Sequence, residues 1–377
     1  MKKLLTVLLI VLVALCAVTA QAVVEVNQSL PVEEGTITAF EKYGHASLDI
    51  TIEKMFADGY ELGDTLDVEF SNGYKFTNIP FYDGYYVAKG EPLVRAYPGH
   101  ETIAVCINYG KVYEVAGLNV GDTVKITLSE KAGELDTQIL NSLKYTTVRE
   151  DYASDEVYAN FREIKVGNIG EGKLYRSCSP INNEHNRAAY ASTLAQKAGI
   201  KSVLNLADSA EEIDAYIKAD DFASPYYKEL YEAGKVIALS MPIDFSSVSF
   251  AQTLVSGIAK MVREGYETPV LIHCTEGKDR AGFTSALIEA LMGASYDEIV
   301  ADYMKSYENY YGITKENNEQ KYEIIVKNHI NEMLKVISGV DLVENMTVET
   351  LEAGARAYLI SGGMTDAEID ALITALK

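Results

Sequence analysis

The feature that most limits the folds open to this chain is a change of rhythm near residue 133. From about Thr36 to Leu128 apolar and polar residues alternate and β-formers dominate, as in Thr65-Leu-Asp-Val-Glu-Phe70 and Asp122-Thr-Val-Lys-Ile-Thr-Leu128. Alternation at a period of two buries one face of a strand and wets the other. Asn72-Gly73 between two such runs is a hairpin signal, because a type I′ turn needs positive φ at both central residues. Several short strands at this spacing predict a small all-β barrel or sandwich over 23–140.

Past a polar stretch at 133–155, strands and helices alternate. Strands are expected over 201–207, 236–241 and 268–272, and helices over 209–219 and 281–292. Phe250, Leu254, Ile258 and Met261 mark one face of a further helix, with Ser249 and Gln252 as a capping box and Gly265 at its end. Strand-helix-strand units of this size imply a parallel sheet flanked by helices, so the second domain, 150–377, is α/β. Its last part, from Ser295, reads as helical, with capping boxes at Ser295/Glu298 and Thr365/Glu368.

Lys2 and Lys3, an apolar run to about Ala20 and the small-x-small triplet Ala20-Gln21-Ala22 form an export signal over 1–22. The mature chain is therefore expected to start near Val23 and to be secreted or periplasmic, with no membrane span left. Asp+Glu number 55 against 33 Lys+Arg, a formal net charge of -22, which excludes nucleic acid as a natural partner. Beyond the signal stand three cysteines, Cys106, Cys178 and Cys274, so at least one thiol is left without a partner in the chain.

Chemistry concentrates in Val270-Leu-Ile-His-Cys-Thr-Glu-Gly-Lys-Asp-Arg-Ala-Gly-Phe283, whose core is Cys-x5-Arg between an apolar strand and a helix. Phosphoryl transfer to sulfur needs a thiolate, whereas a free cysteine titrates at about 8.5. A helix N-terminus after the loop supplies a positive dipole end and unpaired N–H groups for three phosphoryl oxygens. Gly277 lets the backbone turn tightly enough to point those groups inward. Arg280, six positions after Cys274, can fold back and clamp two oxygens. Candidate substrate contacts are Thr275, Glu276, Gly277, Lys278, Asp279 and Ala281 of the loop, and Arg176, further back in the chain, is expected either to face the phosphate or to stand behind the loop.

The segment His273-Cys-Thr-Glu-Gly-Lys-Asp-Arg-Ala-Gly282 resembles the signature of the protein-tyrosine-phosphatase superfamily, in particular the bacterial tyrosine phosphatases with Gly-Lys-Asp-Arg in the loop. Leu174-Tyr-Arg-Ser177, Gly199-Ile-Lys-Ser-Val-Leu-Asn-Leu206, Ala301-Asp-Tyr-Met304 and Tyr358-Leu-Ile-Ser-Gly-Gly-Met-Thr-Asp-Ala-Glu368 fit the same group. The resemblance implies a cysteine-phosphatase fold, Cys274 as nucleophile forming a phosphocysteine, Arg280 as phosphate clamp, and His273 ordering the loop and keeping the thiolate ionised. It implies no metal or other cofactor. The substrate would be a phosphorylated peptide or a lipid or small-molecule phosphomonoester, Lys278 being associated with phosphoinositides in such enzymes. The proton donor is expected to be Asp244, which follows Pro242, with Asp279 next and Asp208 third or a helix cap. Two other readings are an inositol polyphosphate phosphatase of phytase type and a weakly active phosphate-recognising binding protein.

Four positions, Glu276, Asn205, Ala207 and Ala281, depart from the pattern. Glu276 puts a carboxylate at the pocket mouth, where it should repel multiply charged substrates. Asn205 and Ala207 stand where relatives carry an Asp and an Arg. Cys178, in Arg176-Ser-Cys-Ser179, is either plain core or a reversible partner for Cys274. Ala281 replaces the hydroxyl residue that assists the departing thiolate, so breakdown of the intermediate should be slow. Rapid-quench kinetics should show a burst of product; linear formation from the first turnover would contradict this.

Overall fold

The computed structural model describes residues 30–377, and the expected signal over 1–22 lies outside them. The chain divides into two compact units, one reaching to Gln138 and one spanning Ile139–Lys377. No helix among the described residues is long and apolar enough to cross a membrane.

The first unit is a closed barrel, not a sandwich. Its strands are β1 (Glu33–Phe40), β2 (Ala46–Thr51), β3 (Thr65–Phe70), β4 (Lys75–Tyr82), β5 (Pro92–Arg95), β6 (Thr102–Ile107) and β7 (Thr123–Glu130). They close in the order β1-β2-β6-β5-β4-β3-β7. Inward positions such as Leu48, Ile50, Leu66, Val68, Phe81, Val105 and Ile126 fill the interior. The hairpin at Asn72-Gly73 forms, but not as a two-residue type I′ turn. Phe70 N–H donates to Tyr74 at 2.9 Å, leaving Ser71 to Gly73 in the loop, and of these only Gly73 has positive φ, at 84°. Asn72 is held otherwise: its carboxamide accepts from Tyr74 N–H at 2.9 Å and donates to the Ala116 carbonyl at 2.7 Å.

The second unit is built on a five-stranded sheet of order β11-β10-β12-β9-β8. Its strands are β8 (Arg162–Glu163), β9 (Leu174–Ser177), β10 (Ser202–Asn205), β11 (Val236–Ala238) and β12 (Val270–His273). Four run parallel, while β8 pairs antiparallel with β9, so the expected parallel sheet carries one antiparallel edge. Strand residues alternate between two cores. Val203 and Leu271 meet Ala191, Leu194, Tyr227 and Leu230, from helices Ala188–Lys197 and Pro225–Glu232. Leu204 and Ile272 meet Leu254, Ile258, Phe283 and Leu287, from helices Val248–Arg263 and Asp279–Leu291. With both faces covered, β12 and the helix that follows it lie in the middle of the unit.

Local signals placed most helix ends correctly. The boxes at Ser295/Glu298 and Thr365/Glu368 both close, and Ser209 with Glu212 closes a third, so Ser209 rather than Asp208 caps its helix. The helix over Val248–Arg263 is capped by Ser247, whose hydroxyl accepts from Phe250 N–H at 3.2 Å, and not by Ser249. Ser247→Ala should therefore cost about 1 kcal/mol in chemical denaturation while Ser249→Ala changes stability by only a few tenths; the reverse ranking would contradict this cap.

Candidate active site

The sheet delivers Cys274 to a fixed point. At the C-terminal end of β12, His273 pairs with Asn205 of β10 on one side and Ser177 of β9 on the other. The next residue, Cys274, is 2% exposed, and five residues later the helix Asp279–Leu291 begins. It starts two residues before its expected position, so its N-terminus lies inside the loop.

The loop is shaped from outside by donors that take its carbonyls. Ser179 N–H donates to Thr275 at 3.0 Å. The Glu276 carbonyl accepts from Tyr310 Oη at 2.6 Å and Asn160 Nδ2 at 3.3 Å. Asn160 Nδ2 also reaches the Gly277 carbonyl at 3.2 Å. Arg176 Nη2 donates to the carbonyls of Gly277 and Lys278 at 2.9 and 3.0 Å. With its carbonyls engaged outward, the loop keeps its amide N–H groups for an anion, the concave arrangement that binds phosphate. Gly277 is obligatory: its φ is 68°, and a Cβ there would lie 2.2 Å from the Ser177 carbonyl oxygen.

Of the two roles expected of Arg176, its bonds are those of a residue standing behind the loop. It is fully buried, and its other terminal nitrogen, Nη1, donates to Asp302 Oδ2 at 2.6 Å. Asp302 also takes Arg162 Nε at 2.7 Å, and although burial opposes its charge, the two guanidiniums hold its carboxyl well below the usual range.

His273 is fully buried and its pKa is pushed down to about 3, first by desolvation, so it is neutral at the operating pH. Asn205 Nδ2 donates to Tyr227 Oη at 2.9 Å; that hydroxyl lies 3.3 Å from His273 Nε2, and Nδ1 lies 3.4 Å from the Cys274 carbonyl. This chain of donors suits the tautomer with hydrogen on Nδ1. His273 therefore contacts the loop backbone at Cys274 but brings no positive charge to it. Asn205, noted only as a departure, is what starts this chain.

Arg280 folds back over the loop, donating through Nη2 to Thr275 Oγ1 at 3.0 Å and through Nη1 to the Met241 carbonyl at 2.9 Å. Asp244 sits three residues beyond Met241 on an exposed turn, where its Oδ1 accepts from Ser246 at 2.9 Å. Asp279 is at the helix start, 3.4 Å from Tyr303 Oη and 3.9 Å from the Lys278 ammonium. Asp208 is buried near Asn205, and desolvation raises its pKa. Ala281 is fully buried, and the nearest following hydroxyl, Thr284 Oγ1, is spent on the Arg280 carbonyl at 2.9 Å. Cys106, Cys178 and Cys274 are all free thiols, and burial pushes those of Cys106 and Cys178 up to about 12.

Glu276 does not stand open at the pocket mouth. One oxygen bonds Tyr145 Oη and the other lies 3.1 Å from the Lys278 ammonium. Behind it, Arg187, 2% exposed, lies against the rings of Tyr145, Tyr152, Tyr158 and Tyr310 at 4.8, 5.4, 4.9 and 4.7 Å. Asn160, Tyr145, Tyr227, Tyr310 and Asp302 are the functional neighbours that motif reasoning left out. Only Asp302 lay in a segment singled out beforehand.

A strand-end cysteine under a backbone anion cradle, with an arginine folded over it, is the machinery of a cysteine-based phosphatase. The chain belongs to the tyrosine phosphatase family, whose model matches residues 156–377, more than half of its length. The triple specificity protein phosphatase PtpB of Mycobacterium tuberculosis is 55% identical over 38 residues, 10% of this chain and 14% of that protein. A putative tyrosine-protein phosphatase of Cupriavidus necator, H16_A0669, is 49% identical over 37 residues, again 10% and 14%. The matched stretch thus spans 14% of either relative's length. Solved structures that align with it include the core catalytic domain of the PP-IP phosphatase SIW14 from S. cerevisiae, at 20% identity and TM-score 0.25, covering 45% of this chain and 92% of that one. TpbA of P. aeruginosa aligns at 16% identity and TM-score 0.23, covering 63% and 98%.

Asp302→Ala would remove the carboxylate that both Arg162 and Arg176 bond. It should lower stability by about 3–5 kcal/mol in urea unfolding; a loss under about 1 kcal/mol would show that Asp302 does not hold them.

Proposed function

We propose that the chain is an exported phosphomonoesterase acting on phosphotyrosine-type or phosphoinositide substrates through a phosphocysteine intermediate. The observation that carries this is the loop from Cys274 to Arg280, with carbonyls bonded outward and Arg280 poised on Thr275. Export is supported by the residue pattern at 1–22.

In the first step Cys274 Sγ attacks phosphorus while the bond to the leaving oxygen breaks. Backbone N–H groups and the Arg280 guanidinium hold the three equatorial oxygens as charge spreads over them. Asp244 gives a proton to the leaving oxygen. In the second step water attacks the phosphocysteine, Asp244 takes a proton from it, and the thiolate departs without the hydroxyl help that Ala281 lacks. Asp244 is favoured as donor because its turn is tied, through Met241, to the clamp itself. No step calls for a metal.

Phosphate release from a phosphotyrosine peptide should fall by about four orders of magnitude in Cys274→Ser. Asp244→Asn should lose about 10²–10⁴-fold on alkyl phosphates, and much less on p-nitrophenyl phosphate, whose leaving group needs no proton. Equal release by wild type and Cys274→Ser would remove the cysteine mechanism. The leaving-group split appearing in Asp279→Asn or Asp208→Asn instead would move the acid there.

A further inference from the structure

Lys278 carries the loop's only ammonium, yet it is only 13% exposed. Its ammonium lies 3.1 Å from Glu276 Oε2, 3.2 Å from Tyr311 Oη and 5.5 Å from the ring centroids of both Tyr307 and Tyr311. Burial works against its charge, but Asp279, Tyr307 and Glu276 outweigh it, and its pKa is raised. Glu276 is likewise kept ionised, since Lys278 and Tyr145 overcome its own desolvation. The two form a charged, neutralised pair pressed against the helix Tyr296–Tyr311.

Glu276 is itself fastened at two further atoms. Its second oxygen bonds Tyr145 Oη, its backbone carbonyl takes Tyr310 Oη at 2.6 Å, and those two tyrosines stack at 5.0 Å between ring centroids. Arg187 lies against both rings. A carboxylate so anchored cannot swing aside when a polyanion arrives. To reach a second phosphate, Lys278 would have to leave Glu276, Tyr311 and two ring faces, and would strand a largely buried carboxylate.

We propose that Glu276 is a specificity-determining positioning residue that holds Lys278 out of the substrate pocket and thereby confines the site to substrates carrying a single phosphomonoester group. The proposal rests on the phosphomonoesterase reading above. Its effect differs from simple repulsion: releasing Glu276 should help polyanions only while Lys278 is present.

The test compares kcat/KM for a phosphotyrosine peptide with that for a short-chain phosphatidylinositol bisphosphate, in full-length protein. Glu276→Ala should raise the bisphosphate-to-peptide ratio about tenfold, the scale of one freed charge-assisted contact. Adding Lys278→Met to Glu276→Ala should return the ratio to the wild-type level. Tyr145→Phe, which removes one fastening and keeps the carboxylate, should shift the ratio the same way to a smaller extent, and it decides the matter if Glu276→Ala does not fold. An unchanged ratio in Glu276→Ala, or a rise that persists in the double variant, would overturn the lock. Failure of the underlying reading looks different: wild type would then release no Cys274-dependent phosphate from either substrate.

Discussion

One buried guanidinium ties the catalytic loop to the frame of the second unit. Arg176 spends one terminal nitrogen on Asp302 and the other on two successive loop carbonyls. Taking such a cation out of water costs several kcal/mol, which is recovered only if its partners are well placed. Asp302 meets that condition by serving Arg162 as well, while burial keeps nearby Glu289 toward its neutral form, so the cluster holds two cations and one ionised carboxylate. The anion cradle is a consequence of these outward bonds. Because Arg176, Asn160, Tyr310 and Ser179 take up the loop's carbonyls, its amide N–H groups are left for an anion.

Two side-chain systems then flank the loop. Beneath Cys274, the line from Asn205 through Tyr227 to His273 is uncharged and sets orientation alone. Beside Glu276, a tyrosine frame around Arg187 fixes a carboxylate and, through it, Lys278. Division of labour follows. Of the loop's two cations, Arg280 bonds a carbonyl and a hydroxyl, whereas the Lys278 ammonium is paired with a carboxylate; in the mechanism proposed above, positive charge for the phosphoryl group would come from Arg280 and the helix start.

What could be read from the residues in order was what depends on near neighbours. Cys274, Gly277 and Arg280 declare themselves because strand, turn and helix N-terminus are consecutive, and Ser295 and Thr365 because a cap and its partner stand three residues apart. Ser247 escaped since hydrophobic periodicity fits either serine, and only the turn geometry of Asp244 to Ser247 selects one. The partners that give the site its character are far away in the chain. Arg176 meets Asp302 across 126 positions, Glu276 meets Tyr145 across 131, and Asn72 is drawn out of its expected turn by Ala116, 44 residues on. No local pattern carries such pairings, and so the order of residues leaves open whether Arg176 faces the phosphate or stands behind the loop, and presents Glu276 as an open charge.

The cage around Arg187 differs in kind from the cluster around Arg176. Among the described residues no carboxylate pairs with Arg187; ring faces, the Tyr152 hydroxyl and the Thr146 carbonyl hold it. Aromatic quadrupoles do not titrate, whereas an ion pair with a depressed carboxyl pKa holds above the ordinary carboxylate range and is lost as pH falls through the lowered value. Acid therefore reaches the loop through two carboxylates, Glu276 on the tyrosine side and Asp302 behind Arg176, while Arg187 and its ring contacts do not titrate with them.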